Sequence, residues 1–328
     1  MIRALPAAAA ALCAAAALAS GAGAEGIVLD LPVDCELGRT CHVQNYVDRD
    51  AGPGHADHAC GRLSYDGHEG TDFALPHLAA MRAGTTVRAA APGTVRAVRD
   101  AWPDISIRRP DAPDLGGQDC GNGVLLDHGG GWTTQYCHLQ RGSVAVRTGE
   151  RVAAGDALGL VGLSGRTEFP HLHFSVLRDG APVDPFDADA SPACDEGRAL
   201  WRDAPPYVPT GVIAAGLAPR LPTYEEVRAD PPATDDWPAA EGEALVAWFH
   251  AFGARKGDVV RIALDGPDGP VHREEEVLAG DLASIYRGAG RRAPEGGWPP
   301  GAYGARIEIV RDGAVVARAT PRARLTAR

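Results

Sequence analysis

The sequence predicts an all-β chain, an antiparallel β-sheet domain followed by a small immunoglobulin-like β-sandwich. Three observations predict it. Between Thr71 and about Pro185, short runs rich in β-branched residues alternate with glycine turns, a spacing that suits antiparallel strands better than βαβ units. Proline and charge then rise, at Ala204-Pro205-Pro206, Pro219 and Asp230-Pro231-Pro232, as they do at domain boundaries. Past that boundary strand-like runs resume over 240–328, a length that fits one sandwich.

Residues 1–24 open with Arg3, continue as an alanine-dominated apolar run and end in Ala22-Gly23-Ala24, the pattern of a secretory signal peptide. The run is too short for a membrane anchor, and no stretch of about 18 apolar residues follows it. The expectation is an exported protein, periplasmic or secreted, with no stable membrane anchor. Cleavage after Ala24 removes Cys13 and leaves Cys35, Cys41, Cys60, Cys120, Cys137 and Cys194, an even set that suits disulfides in an exported chain. Residues 25–65 read as a loop-like segment tethered by such bonds. Cys120 and Cys137 flank two apolar runs, 124–127 and 132–136, joined at Gly129-Gly130-Gly131, so a hairpin would set them nearly opposite.

Residues 66–190 form the first domain, with strands expected at 85–89, 94–98, 124–126, 132–136, 157–161 and 171–177. Residues 100–120, with Pro103, Pro110, Pro113 and Gly116-Gly117, interrupt this pattern as a long insertion of the kind that walls a groove. Residues 191–239 read as a linker. In 240–328 the strands fall at 244–252, 258–264, 271–277, 303–311 and 314–319, with hairpin turns at 266–269 and Asp312-Gly313.

With 32 Lys+Arg against 43 Asp+Glu, the net charge of −11 argues against a nucleic-acid partner, because phosphate recognition needs clustered positive charge. The chemistry lies in the histidines. In His171-Leu172-His173-Phe174 a strand puts both imidazoles on one face and Leu172 and Phe174 in the core. In His68-Glu69-Gly70-Thr71-Asp72 an imidazole and a carboxylate four residues apart can reach one Zn²⁺. Alone, each has a bland reading, solvated histidines on a surface strand or an Asx-type turn. Together they supply three ligands and leave a fourth position for water, the arrangement of a catalytic zinc site. No Cys-x-x-Cys pair competes for the metal, and Tyr136-Cys137-His138-Leu139 adds another imidazole at a strand end.

These segments resemble, in order, the lysostaphin-type (LytM-like) zinc metalloendopeptidases that cut peptidoglycan. The resemblance covers roughly 66–186. It takes in Gly67-His68-Glu69-Gly70-Thr71-Asp72-Phe73, Ala90-Ala91-Pro92-Gly93-Thr94-Val95, Gly121-Asn122-Gly123-Val124, Asp127-His128, Tyr136-Cys137-His138-Leu139, Val152-Ala153-Ala154-Gly155 and Pro170-His171-Leu172-His173-Phe174. It implies that His68, Asp72 and His173 are the zinc ligands, that His138 and His171 are the catalytic pair, and that the partners are peptidoglycan peptide stems. It also implies hydrolysis of the peptide cross-link by a zinc-activated water with histidine acid/base assistance.

A noncatalytic cell-wall binding or regulatory protein on the same fold is the alternative, although every motif position is filled. A zincin-like use of Glu69 as base is a third reading, opposed by Asp72 where that motif has histidine and by the poor helix material Gly70-Thr71. His128 is expected to be structural, and His42, His55, His58, His77, His250 and His272 to be surface or loop residues. In the C-terminal domain Trp248, Phe249, Phe252 and Trp298 read as core aromatics, with docking of a protein partner as that domain's functional alternative.

Overall fold

The structure, a computed structural model, describes residues 26–194, 197–232, 236–238 and 243–326. The expected signal peptide lies outside them. Among the described residues no helix is long and apolar enough to cross a membrane.

The first unit contains β1 (His42–Asn45), β2 (Thr71–Ala74), a short helix α1 (Leu78–Ala83), β3 (Thr86–Arg88), β4 (Gly93–Arg99), β5 (Gly123–Gly129), β6 (Trp132–Cys137), β7 (Arg151–Val152), β8 (Ala157–Leu160), β9 (His171–Arg178) and β10 (Ala181–Val183). Seven of these form an antiparallel path, β1-β2-β9-β6-β5-β4-β7, with β10 pairing β9, while β3 and β8 pair separately. The antiparallel sheet predicted from sequence is therefore present. Its period-two alternation is clearest in β9, where Leu172, Phe174 and Val176 are almost fully buried. Each such side chain stabilises the fold by roughly 1.5–3 kcal/mol. The alternate residues His171, His173 and Ser175 consequently share the opposite face.

Disulfides join Cys35 to Cys41, Cys60 to Cys194 and Cys120 to Cys137. The last is the pair expected across the β5–β6 hairpin. Residues ahead of Thr71 do more than hang from such a bond, because β1 adds the edge strand beside β2, with Val43 opposite Phe73 and Asn45 opposite Asp72.

Beyond the first unit lie β11 (Gly211–Ala218), α2 (Tyr224–Ala229), β12 (Asp236–Pro238), β13 (Ala244–Ala254), β14 (Val259–Gly266), β15 (Gly269–Val277), β16 (Leu282–Arg292), β17 (Gly301–Arg311), β18 (Ala314–Ala319) and β19 (Arg322–Thr326). One sheet runs β11-β13-β16 and the other β12-β19-β17-β14-β15, with β18 on β17. They share a core that includes Leu217, Phe249, Ile262, Ile285, Trp298 and Ile307. Three elements, β11, α2 and β12, fall where the sequence read as linker. β11 pairs along β13, and α2 starts at a capping box in which Thr223 and Glu226 satisfy each other's backbone N–H.

The two units meet across the β1 edge. His42 of β1 stacks on Phe252 of β13 at 4.8 Å, Arg62 pairs with Asp281, and Arg228 of α2 donates to the Glu168 carbonyl at 3.1 Å. His42, His58 and His250, expected at the surface, are buried. The reason is their ring faces. His42 lies flat on Phe252, His58 lies flat on Phe186 at 4.7 Å, and His250 meets Tyr224 edge-on at 5.3 Å.

Candidate metal centre and its histidine neighbours

Four neighbouring backbone segments bring five side chains to one point. The β2–β9 register sets Asp72 opposite His173, and the β6–β9 register sets Cys137 opposite the same histidine. His68 arrives from the turn before β2 and His171 from the start of β9. His138 directly follows β6 at φ 63°, a left-handed conformation that costs a non-glycine residue about 1 kcal/mol or more. That conformation is held by the His138 N–H, which donates to the Cys120 carbonyl at 2.9 Å, and Cys120 is bonded to Cys137.

His68, Asp72 and His173 offer ligand atoms that all lie within 4.8 Å of one another. His68 Nε2 is 3.2 Å from Asp72 Oδ1 and 3.2 Å from His173 Nδ1, and His173 Nδ1 is 2.8 Å from Asp72 Oδ1. Ligands held at ~2.0–2.2 Å around a tetrahedral ion sit about 3.3 Å apart, so the set fits a metal of zinc's size and preferences. The hydrogen bonds behind these atoms fix which nitrogen is free. His68 Nδ1–H donates to the Tyr46 carbonyl at 2.7 Å, which leaves Nε2 its lone pair. Ser175 Oγ lies 3.0 Å from His173 Nε2, and with that nitrogen as donor Nδ1 is the ligand atom. Asn45 Nδ2 donates to Asp72 Oδ2 at 2.9 Å, turning Oδ1 toward the imidazoles. Gly70 is required here, because a Cβ at that position would meet the His173 ring at 2.6 Å.

The other two histidines stand beside this set. Their ring centroids are 4.6 Å apart, His138 is 6.0 Å from His173, and His171 Nε2 is 3.6 Å from Asp72 Oδ1. His138 Nδ1–H donates to the Ser164 carbonyl at 2.7 Å and His171 Nδ1–H to the Phe169 carbonyl at 3.0 Å. A carbonyl can only accept, so Nε2 is the unprotonated nitrogen of both rings.

Electrostatics separates the roles available to these groups. Burial raises the Asp72 pKa, but the charges of His171 and His68 and the hydrogen bonds from His173 and His68 outweigh it and hold the carboxyl well below its ordinary range. Burial also pulls His68 down, yet Asp72 and the Tyr46 carbonyl leave that imidazole above its ordinary value. For His138, burial, and after it the neighbouring imidazoles of His171 and His173, drive the pKa well below 6.5. Burial lowers His171 likewise, against the pull of Asp72. The site thus presents a buried carboxylate beside two imidazoles kept neutral, which can take up a proton at Nε2.

All five residues singled out from sequence are brought together. Glu69 is exposed, and its segment runs from a turn directly into β2, so the helical zincin-type geometry is absent. His128 serves the hairpin, bonding the Pro92 carbonyl and Thr134, and His77 caps α1 by accepting from the Ala80 N–H. Sequence reasoning missed Asn45, Tyr46, Ser164, Thr167, Phe169 and Ser175. Ser175 alone had a local signal, the continued alternation of His171 and His173; Tyr46, Ser164 and Phe169 act through backbone carbonyls, Asn45 from a remote segment and Thr167 through a hydroxyl four residues ahead of His171.

Residues 66–185 match the family model described as Peptidase family M23. Among curated proteins, the chain is 34% identical over 122 residues to peptidoglycan DD-endopeptidase ShyA of Vibrio cholerae, a match covering 37% of this chain and 23% of that one. It is 35% identical over 118 residues to DD-carboxypeptidase/endopeptidase Mpg of Neisseria meningitidis, covering 36% and 22%. A solved structure of a putative peptidase M23 from Pseudomonas aeruginosa is 28% identical at a TM-score of 0.30, over 49% of each chain. The chain thus spans about a quarter of the length of the curated relatives it matches.

Proposed function

We propose that this chain, whose residues 66–185 are a domain of peptidase family M23, is a zinc-dependent endopeptidase that hydrolyses peptide cross-links of peptidoglycan. The observation that carries the reading is the convergence of His68, Asp72 and His173 with two further imidazoles at their side. The relatives named as peptidoglycan endopeptidases support the substrate class.

In this reading His68 Nε2, Asp72 Oδ1 and His173 Nδ1 hold the zinc. When bound, zinc supplies a Lewis acid that polarises the scissile carbonyl and acidifies water. His138 and His171 do the proton work, each through the Nε2 that its carbonyl-bound Nδ1–H leaves free. Kept neutral by burial, one imidazole takes the proton of the attacking water at Nε2 and, now an imidazolium, returns that proton to the departing amine, while the other lies beside it at 4.6 Å. Residues 66–190 are read as the catalytic domain, 25–65 as its tethered lead segment and 240–328 as a β domain whose sheet β11 extends. Export to the periplasm or beyond is read from the signal pattern, and three disulfides suit that compartment.

The test is metal content and muropeptide cleavage measured on purified mature protein, with His173→Ala and His138→Ala alongside. Wild type is expected to carry one zinc and to cut. His173→Ala loses both, and His138→Ala keeps zinc without cutting. Wild type that binds murein without cutting it, zinc loaded, would move the chain to the noncatalytic class.

A further inference from the structure

We propose that Arg228, in the C-terminal unit, is a positioning residue for His171 and so for the cleavage step; the inference rests on the endopeptidase reading above. The orientation of the His171 imidazole is set by three residues ahead of it. Its Nδ1 lies 3.0 Å from the Phe169 carbonyl and 3.0 Å from Thr167 Oγ1, and that hydroxyl itself donates to the Phe169 carbonyl at 2.8 Å. Whatever fixes the peptides of residues 167–169 therefore fixes the direction of His171 Nε2.

Two arms hold this loop from outside. The first is the 100–120 insertion, in which Ile107 N–H donates to the Thr167 carbonyl at 3.0 Å, Arg108 pairs with the Glu168 carboxylate at 2.5 Å, and Ser106 Oγ reaches the Glu168 carbonyl at 3.3 Å. The second is Arg228, whose Nη2 donates to that same carbonyl at 3.1 Å. A charged donor makes the stronger bond to a carbonyl, so Arg228 rather than the Ser106 hydroxyl sets the Glu168 peptide. The guanidinium is itself well placed. It lies 5.6 Å over the Tyr224 ring, and α2 is anchored by Val227, fully buried against Ala218 and Trp248. A rigid element of one unit thus pins the loop that aims a catalytic imidazole of the other.

Arg228 touches none of the five site residues, so its loss should spare metal and substrate binding and slow the chemical step. The experiment uses the full mature protein as wild type, Arg228→Ala and Arg228→Lys, with kcat and KM for a purified dimeric muropeptide, zinc content, and the NMR signal of the His171 Nδ1–H proton. Arg228→Ala is expected to lower kcat about tenfold, as misaimed groups do, with KM and zinc unchanged and the His171 proton shifted. Arg228→Lys, which can donate to the same carbonyl, is expected to recover most of the rate and return the signal. Wild-type kcat in the alanine variant, an unmoved His171 proton, or a lysine variant as slow as alanine would overturn the proposal. A wild type that cleaves nothing would instead sink the endopeptidase reading, and this one with it.

Discussion

Removing the three disulfides one at a time should separate stability from activity. The bonds close loops of very different length, Cys60–Cys194 spanning 134 positions, Cys120–Cys137 spanning 17 and Cys35–Cys41 spanning 6. Loop-closure entropy then assigns them about 5, 3 and 2 kcal/mol respectively. Paired Cys→Ser variants should fall in that order in urea midpoint. Activity should follow a different logic, because only Cys120–Cys137 supports a side chain proposed to be catalytic: the Cys120 carbonyl receives the His138 N–H and Cys137 sits opposite His173. The assay is muropeptide turnover under conditions where every variant stays folded. Cys120→Ser/Cys137→Ser is expected to lose at least tenfold in kcat while retaining zinc, a shift of about 1.4 kcal/mol or more in the barrier. Cys60→Ser/Cys194→Ser, though less stable, should cut at nearly the wild-type rate. If turnover tracks stability across the three variants, the bond at Cys137 has no special hold on His138 and the reasoning fails.

Three other outcomes are expected. Burial and the charge of His250 push His42 down to about 3, and burial with Arg228 lowers His250 to about 4. A folded pKa below the unfolded 6.5 means that the unfolded chain takes protons first, so stability declines as pH drops from about 6.5 toward 3 and is untouched above that window. For His42 the loss is about 3 kcal/mol by pH 4.5. Thermal midpoints of His42→Leu should flatten across this window relative to wild type, and parallel curves would contradict it. Ser175→Ala removes the partner of His173 Nε2 and should weaken zinc about tenfold or more in competition with a chelator; equal affinity would mean the hydroxyl does not orient the ligand. Glu69→Gln should retain full turnover, since Glu69 is exposed, and a large loss would revive the zincin-like mechanism.

The candidate site was legible because its residues obey local spacings. His171 and His173 reveal themselves by strand alternation, and His68 and Asp72 lie four residues apart. Their supports were not, because Asn45 sits 27 residues from the carboxylate it holds and Ser164 contributes only a carbonyl. Strands β4, β5, β6 and β9 of the first sheet also followed from pattern, whereas β1 in that sheet and β16 in the other unit did not. In β16 a Cβ at Gly288 would meet Leu221 at 2.4 Å and one at Gly290 would meet the Leu245 carbonyl at 2.1 Å. Here glycine marks the close approach of neighbouring atoms rather than a turn. β11 was hidden by the prolines on either side of it. The burial of His42 and His250 needed the second unit to be in place, which no window of sequence contains.

The β1 edge bears on how this chain behaves before it is complete. An open sheet margin invites other chains to add their own strands, and proteins blunt such margins by shortening, bending or covering them. At one end of the large sheet β7 is only two residues long. At the other, β1 is four residues long, its register breaks between Val43 and Asn45, and Phe252 covers His42. That cover arrives some two hundred residues later in the chain. While the polypeptide is still being made, the margin stands bare, and a fragment cut before β11 keeps it bare permanently. Self-association is therefore the failure to expect of a shortened chain.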